Sequence, residues 1–234
     1  MATFYGYNEE GLEFLYDCTN EQLDFLVQLI TTKGNLSELM TGNTLYRDNA
    51  PNHRKYVNLI TDEIISFGSN SFSLTKNTYR QILMKVCNKL KVDYNSSEST
   101  WDIEDKLLAK VFDNAWAEMS ENEKKAVIES LDENEKKIKG KSSAGFIALF
   151  QAGGFTSYKL SVILANAVAK AAVGHGLAFA TNAALTRGLS ILTGPVGIAL
   201  TTAWTIFNLA GPAYRVIVPA VSYVAALRRI HENG

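Results

Sequence analysis

The sequence predicts an all-α protein, a multi-helix bundle of about ten helices whose C-terminal half is apolar and rich in glycine and alanine. Three observations carry that prediction. Apolar residues recur at helical spacing in segment after segment, helix caps stand where the stripes begin, and no strict alternation reaches strand length between turn signals. The composition agrees: of 234 residues, 47% are apolar and 20% charged, with 4 prolines. That globular balance excludes wholesale disorder.

Taken in order, Leu12, Leu15 and Cys18 form a short leading helical pattern. Thr19-Asn20-Glu21-Gln22 reads as a capping box ahead of the stripe Leu23, Leu26, Leu29 and Ile30. Asn49-Ala50-Pro51 opens the next helix, since proline is tolerated in a first turn. That helix carries Tyr56, Leu59, Ile60, Ile64 and Phe67 and stops at Gly68. Tyr79, Ile82, Leu83, Val86 and Leu90 make a further stripe. After the polar loop 93–98, Ser99 starts a helix bearing Ile103, Leu107, Val111, Phe112, Ala115 and Trp116. Ser120 to Glu123 is a second capping box, leading to Val127, Ile128 and Leu131.

The run 136–143 is basic, small and polar, and the composition changes beyond it. It divides the chain into an acidic helical bundle, 1–140, and a basic, apolar, Gly/Ala-rich helical region, 141–234. The first part carries 16 Lys+Arg against 23 Asp+Glu, a balance of −7; the second carries 7 against 1, a balance of +6. Such asymmetry marks an interacting segment. Seven cations over 94 residues make no phosphate-tracking stripe, so a membrane or a protein partner fits and nucleic acid does not.

In the second part Phe146–Phe150 forms a short helix, ended by Gly153-Gly154, and Thr156 or Ser157 caps a longer one to about Ala172. Gly174-His175-Gly176 interrupts, and another helix runs to about Gly188. Pro195 stands in the first turn of a further helix ended at Gly211-Pro212. The last helix holds Pro219, which predicts a kink, and closes on Arg228, Arg229 and His231, cations suited to a helix C-terminus.

Between Arg187 and Arg215 lie 27 residues without a charge, longer than the ~20 a spanning helix needs. Over 189–211 the aliphatic residues and Phe207, at about −0.5 kcal/mol each, are offset by Pro195, three glycines, Ser190, the threonines and Asn208, so insertion comes out near zero. Gly176, Ala180, Ala184 and Gly188 recur every fourth residue, an edge along which two helix backbones approach closely in membranes or in a tight soluble bundle. These four, with Pro195, Trp204, Tyr214, Arg215 and Pro219, are the candidate membrane or structural residues. An Arg215 flanked by apolar residues needs an acceptor, a lipid headgroup or a helix C-terminus.

Catalytic patterns are not apparent. His53, His175 and His231 have no metal-spaced partners, and Gly174-His175-Gly176 lacks the third glycine and the preceding strand of a dinucleotide fingerprint. There is no phosphate loop, nucleophile elbow or zinc spacing, so no cofactor and no metal is expected. Acids such as Asp102, Glu104, Asp105 and Glu121 read as solvated helix faces. Cys18 and Cys87 read as buried thiols of a reducing compartment, and no signal peptide precedes them, which points to the cytoplasm.

Val173-Gly-His-Gly-Leu177, Gly194-Pro-Val-Gly197, Ala213-Tyr-Arg-Val-Ile-Val-Pro-Ala220 and Leu227-Arg-Arg229 resemble the YaaW-like family of uncharacterised bacterial proteins. Leu12-Glu-Phe-Leu15, Asp24-Phe-Leu26, Pro51-Asn-His-Arg54, Tyr79-Arg-Gln-Ile-Leu83 and Ile103-Glu-Asp-Lys-Leu-Leu108 extend the resemblance over almost the whole chain. It implies a cytoplasmic helical protein, grouped loosely with ubiquinol–cytochrome c chaperones, whose middle helices bind protein; it supplies no catalytic residue. Two readings follow. In the first, a non-enzymatic protein associates with or perturbs membranes through its apolar half, conditionally at the inner membrane and in the extreme as a pore-forming effector. In the alternative, a soluble chaperone-like or adaptor bundle buries that half and binds a protein client. The sequence leaves the oligomeric state open.

Overall fold

The computed structural model describes residues 11–33, 40–69, 76–118, 120–129, 148, 152–174, 177 and 212–233. Among them there is helix and no strand. A 3₁₀ turn, Glu13–Tyr16, leads into α1 (Asn20–Lys33), and a short α2 (Thr44–Asn49) follows. A second 3₁₀ turn, His53–Tyr56, runs into α3 (Val57–Gly68). Then come α4 (Tyr79–Leu90), α5 (Thr100–Glu118), α6 (Glu121–Glu129), α7 (Gly154–Val173) and α8 (Pro212–Asn233). Where the pattern predicts about ten helices, the described residues hold seven of nine residues or more and one of six. The stretch expected to carry others, 178–211, lies outside the described residues.

Local chemistry accounts for most boundaries. At α1 the Thr19 amide donates to Gln22 Oε1 at 2.8 Å while the Gln22 amide donates to Thr19 Oγ1 at 3.3 Å, a reciprocal capping box. Thr78 and Gln81 repeat it at α4. Ser99 and Asp102 do the same ahead of α5, the Asp102 amide donating to Ser99 Oγ at 3.1 Å. Pro51 does not open α3 directly; the 3₁₀ turn His53–Tyr56 intervenes. Gly68 ends α3 for a packing reason: a Cβ there would land on the Ile82 side chain of α4.

The cap of α7 differs from expectation. Neither Thr156 nor Ser157 caps it; the helix starts at Gly154, and Ser157 is fully buried inside it. The Gly154 amide instead donates to Asn233 Oδ1 at 3.0 Å, so the end of α8 caps the start of α7. That contact sets the two helices antiparallel.

The last helix occupies the middle of the molecule. Every residue from Val216 to Arg228 is buried, and α8 packs on α1, α3, α4, α5 and α7. One buried cluster runs from Leu12 to Ile230 and draws on helices from both sides of residue 140. A helix apolar on every face belongs in protein or in lipid, and α8 lies in protein. Pro219 is buried within it, and the helix is assigned unbroken through that residue. Leu160 to Ala169 of α7 are likewise all buried.

This packing corrects the membrane expectation as far as the described residues reach. Among them no helix is long and apolar enough to cross a membrane, so a pore-forming segment has no support there. Of the uncharged run 188–214, residues 188–211 lie outside the described residues.

Because α8 supplies the surface on which α1, α3, α4 and α5 pack, a fragment of residues 1–140 is expected to lose cooperative unfolding. Circular dichroism across a denaturant gradient checks this: the full chain gives one sigmoidal transition and the fragment a broad, shallow one.

Candidate functional site

The polar groups with the greatest chemical potential lie inside the bundle, where α5 meets α8. Glu104 shares the α5 stripe of Ile103, Leu107, Leu108 and Val111 and is 2% exposed; Arg228 of α8 is 4% exposed. A carboxylate and a guanidinium are tolerated at such depth only as a hydrogen-bonded pair. Arg228 Nε donates to Glu104 Oε2 at 2.6 Å and Nη2 to Oε1 at 3.2 Å, a two-point contact. The fully buried Tyr79 hydroxyl of α4 donates to Glu104 Oε1 at 2.5 Å. Arg228 Nη2 also donates to the Gly11 carbonyl, which ties the start of the described chain to its last helix.

Aromatic rings close the site. The Arg228 guanidinium carbon lies 4.3 Å from the Phe14 ring centroid and 5.0 Å from that of Trp101, within cation–π range of both. Next to it, Arg229 Nε donates to Asp105 Oδ1 at 2.6 Å and its Nη2 to Oδ2, so consecutive arginines of α8 hold consecutive acids of α5. Burial pushes the Glu104 carboxyl up, and Arg228 and the Tyr79 hydroxyl pull it back. Burial works against the Arg228 cation, yet Glu104 outweighs it and holds the guanidinium above its ordinary value. Burial likewise raises Asp105, against the pull of Arg229.

Glu104 and Asp105 therefore do not belong to a solvated helix face, as their charge alone implies. The signal that finds Glu104 is its register, three and four residues ahead of the core residues Leu107 and Leu108. Arg228 likewise caps no exposed helix end; it sits in the core beside Leu227. Its partner, 124 residues away, has no mark in the local pattern.

Cys18 and Cys87 are buried free thiols, as the sequence predicts. Burial pushes each up to about 12, with Asp17 adding at Cys18 and Glu104 at Cys87. Neither is a nucleophile at neutral pH. A second polar chain, buried at His53 and Tyr56 and open to solvent at Asp24, links α1 to the turn before α3: His53, 5% exposed, stands 3.1 Å by Nε2 from Asp24 Oδ1 and 2.5 Å by Nδ1 from the Tyr56 hydroxyl.

Of the sequence-predicted residues, Tyr214, Arg215 and Pro219 are among those described, and none of the three contributes a contact to this site. Gly176, Ala180, Ala184, Gly188, Pro195 and Trp204 lie outside the described residues. Tyr214 is half-buried with Lys89 Nζ 5.1 Å from its ring centroid. Arg215 is exposed, whereas Pro219 is buried. The motif Val173–Leu177 has a backbone role: Gly174, at φ +93°, ends α7 in the left-handed conformation, and the buried Leu177 amide donates to Asn166 Oδ1 at 2.8 Å.

The arrangement is one that binds charge to charge inside the fold rather than one that offers a reactive group to a substrate. Among the described residues no group of His, Cys, Asp and Glu is placed to hold a metal ion.

Comparison with known proteins gives a consistent picture. Residues 81–221 match the family model described as ubiquinol-cytochrome C chaperone. A UPF0174 protein of Helicobacter pylori (strain J99) is 41% identical over 230 residues, covering 94% of this chain and 91% of the relative. A second UPF0174 protein of the same strain is 36% identical over 204 residues, covering 83% and 98%. The UPF0174 protein YaaW of Escherichia coli (strain K12) is 31% identical over 237 residues, covering 95% of each. No solved structure matches the chain.

Two outcomes follow from the geometry. Arg228→Met leaves Glu104 buried without its cation and is expected to cost about 3–5 kcal/mol, while adding Glu104→Leu recovers more than half of that loss; urea denaturation of the four proteins of the cycle measures both. Thiols raised to about 12 stay protonated at neutral pH, so a thiol reagent at about pH 8 labels neither cysteine until the protein is unfolded.

Proposed function

The chain belongs to the UPF0174 family, with residues 81–221 inside the ubiquinol-cytochrome C chaperone family, and we propose that it is a non-enzymatic, chaperone-like helical bundle that binds a protein client. The family match over 81–221 carries this reading, because that stretch takes in most of α4, all of α5, α6 and α7, and the first half of α8. Of these, α4, α5, α7 and α8 pack together around the common core.

The disposition of reactive groups supports the same reading. Glu104 and Arg228 satisfy each other inside the fold, and the two thiols are held protonated. Free cysteines at both positions support a reducing compartment such as the cytoplasm. Trp101, 46% exposed, is one of two large hydrophobic side chains open to solvent among the described residues, with Tyr16. Tryptophan on an arginine held by a rigid network is the kind of preorganised anchor that dominates protein–protein binding. We therefore propose a client surface around Trp101, at the start of α5.

Aggregation suppression tests this. The full chain, added in a few-fold excess to a chemically unfolded reporter enzyme on dilution, is expected to lower light scattering. Trp101→Ala is expected to lose most of that effect, a loss of roughly tenfold in apparent affinity, while its stability falls only by the lost contact with Arg228, about 0.5–1 kcal/mol. Scattering unaffected by the full chain at every ratio contradicts a chaperone-like role; suppression that Trp101→Ala retains contradicts the placement of the surface.

A further inference from the structure

Three segments meet around Trp101, and each brings an exposed acid. On α5, Asp102 is exposed next to the ring in the chain. The leading segment puts Phe14 4.3 Å from the Arg228 guanidinium carbon that itself lies 5.0 Å from the Trp101 centroid. With Phe14 comes the exposed Glu13, whose Oε2 accepts from the Gly11 amide at 2.8 Å. The third acid is Glu232 of α8, exposed and one helical turn beyond Arg228. Both Arg228 and Arg229 are close enough to act on its carboxyl.

The cations of this region are already engaged. Arg228 is held by Glu104 and the Gly11 carbonyl, and Arg229 by Asp105. Lys106 Nζ stands 2.6 Å from Glu98 Oε1, and Arg80 donates to the Ser96 and Glu98 carbonyls at 2.9 and 2.5 Å. Among the described residues, Glu13, Asp102 and Glu232 form no ion pair of their own. Asp102 accepts instead from the Ser99 hydroxyl at 2.6 Å. That bond, with Lys106 and Arg229 helping, holds its carboxyl below the usual range, so it is charged at neutral pH. Burial pushes the Glu232 carboxyl up against the pull of Arg229 and Arg228, and a further cation beside it lowers it again.

An exposed indole offers apolar surface and a π face, and acids on three sides of it give the patch a field of one sign. Such a field repels an acidic segment and a phosphate-bearing surface, and it draws in lysine and arginine. Resting on the client-binding reading above, we infer that the surface around Trp101 selects a basic, amphipathic segment of the client. An apolar side chain of that segment sits on the indole, and its lysines or arginines pair with Glu13, Asp102 and Glu232. The ring supplies the anchor; the acids lie at the rim, where charge sets partner choice and rate of encounter.

Fluorescence anisotropy of labelled peptides titrated with the full chain tests this selection. One probe is an amphipathic helix of leucine and lysine; in two others glutamine or glutamate replaces every lysine. The lysine peptide is expected to bind roughly tenfold tighter than the glutamine peptide at low salt, and the glutamate peptide not at all. The advantage is expected to shrink as ionic strength rises to about 0.5 M. Glu13→Gln, Asp102→Asn and Glu232→Gln combined are expected to abolish it. Asp48→Asn, Asp113→Asn and Glu121→Gln combined take the same charge from α2, the later part of α5 and α6, and are expected to leave it intact. Equal binding of the lysine and glutamine peptides, both weakened by Trp101→Ala, overturns the selection while the client surface stands. Binding that Trp101→Ala does not weaken overturns both. A preference that survives the first triple variant, or is lost in the second, overturns the assignment to these acids. Binding of none of the peptides overturns the inference, and the scattering assay then shows whether the client-binding reading falls with it. Should the first triple variant fail to fold, the salt dependence of the native protein and the second triple variant decide.

Discussion

A guanidinium and a carboxylate cannot sit singly in an apolar interior, and the pairing of Arg228 with Glu104 is the constraint around which this bundle closes. Arg228 is the last of the unbroken run of buried residues that starts at Val216. Its side chain reaches α5 through Glu104, α4 through Tyr79 and the leading segment through Gly11 and Phe14. One residue on, Arg229 repeats the contact with Asp105 at a half-buried position. Apolar packing supplies most of the stabilisation in such a core, but it is non-directional. The ion pairs fix the axial register of α8 against α5, because a slip by one turn strands both charges.

The charge asymmetry of the sequence acquires a different meaning from this geometry. A basic, apolar C-terminal part beside an acidic N-terminal part reads as an attraction to an outside surface. Two of its seven cations are spent inside the molecule, on acids of α5. The same holds for hydropathy. The features that suggest lipid in α8, apolar residues on every face and a proline within the helix, are those of a central helix enclosed by five others.

How far the sequence reveals this depends on the range of each interaction. The caps Thr19–Gln22 and Ser99–Asp102, the stripes of α1, α3, α4 and α5 and the burial of both thiols are decided within a few residues, and periodicity finds them. The cap of α7 is not local, since Asn233 supplies it from 79 residues away, and a search for a Ser or Thr at the helix start goes astray. The site escapes for the same reason. Glu104 stands in register with the core, yet a charge in an amphipathic helix is read as solvated until its partner is known. Tyr56 and His53 are visible as residues of a stripe and a turn, whereas their hydrogen-bond chain needs the placement of Asp24, 29 residues earlier.

The most direct test of the central role of α8 is native-state hydrogen exchange in rising, sub-denaturing guanidinium chloride. If α8 is the hub, the amides of Val216–Arg228 and of Ile103–Val111 exchange only through global unfolding, with one shared free energy and one shared denaturant dependence. An α8 that exchanges at a distinctly lower free energy than α5, with a small denaturant dependence, is a helix that peels away, and contradicts the account.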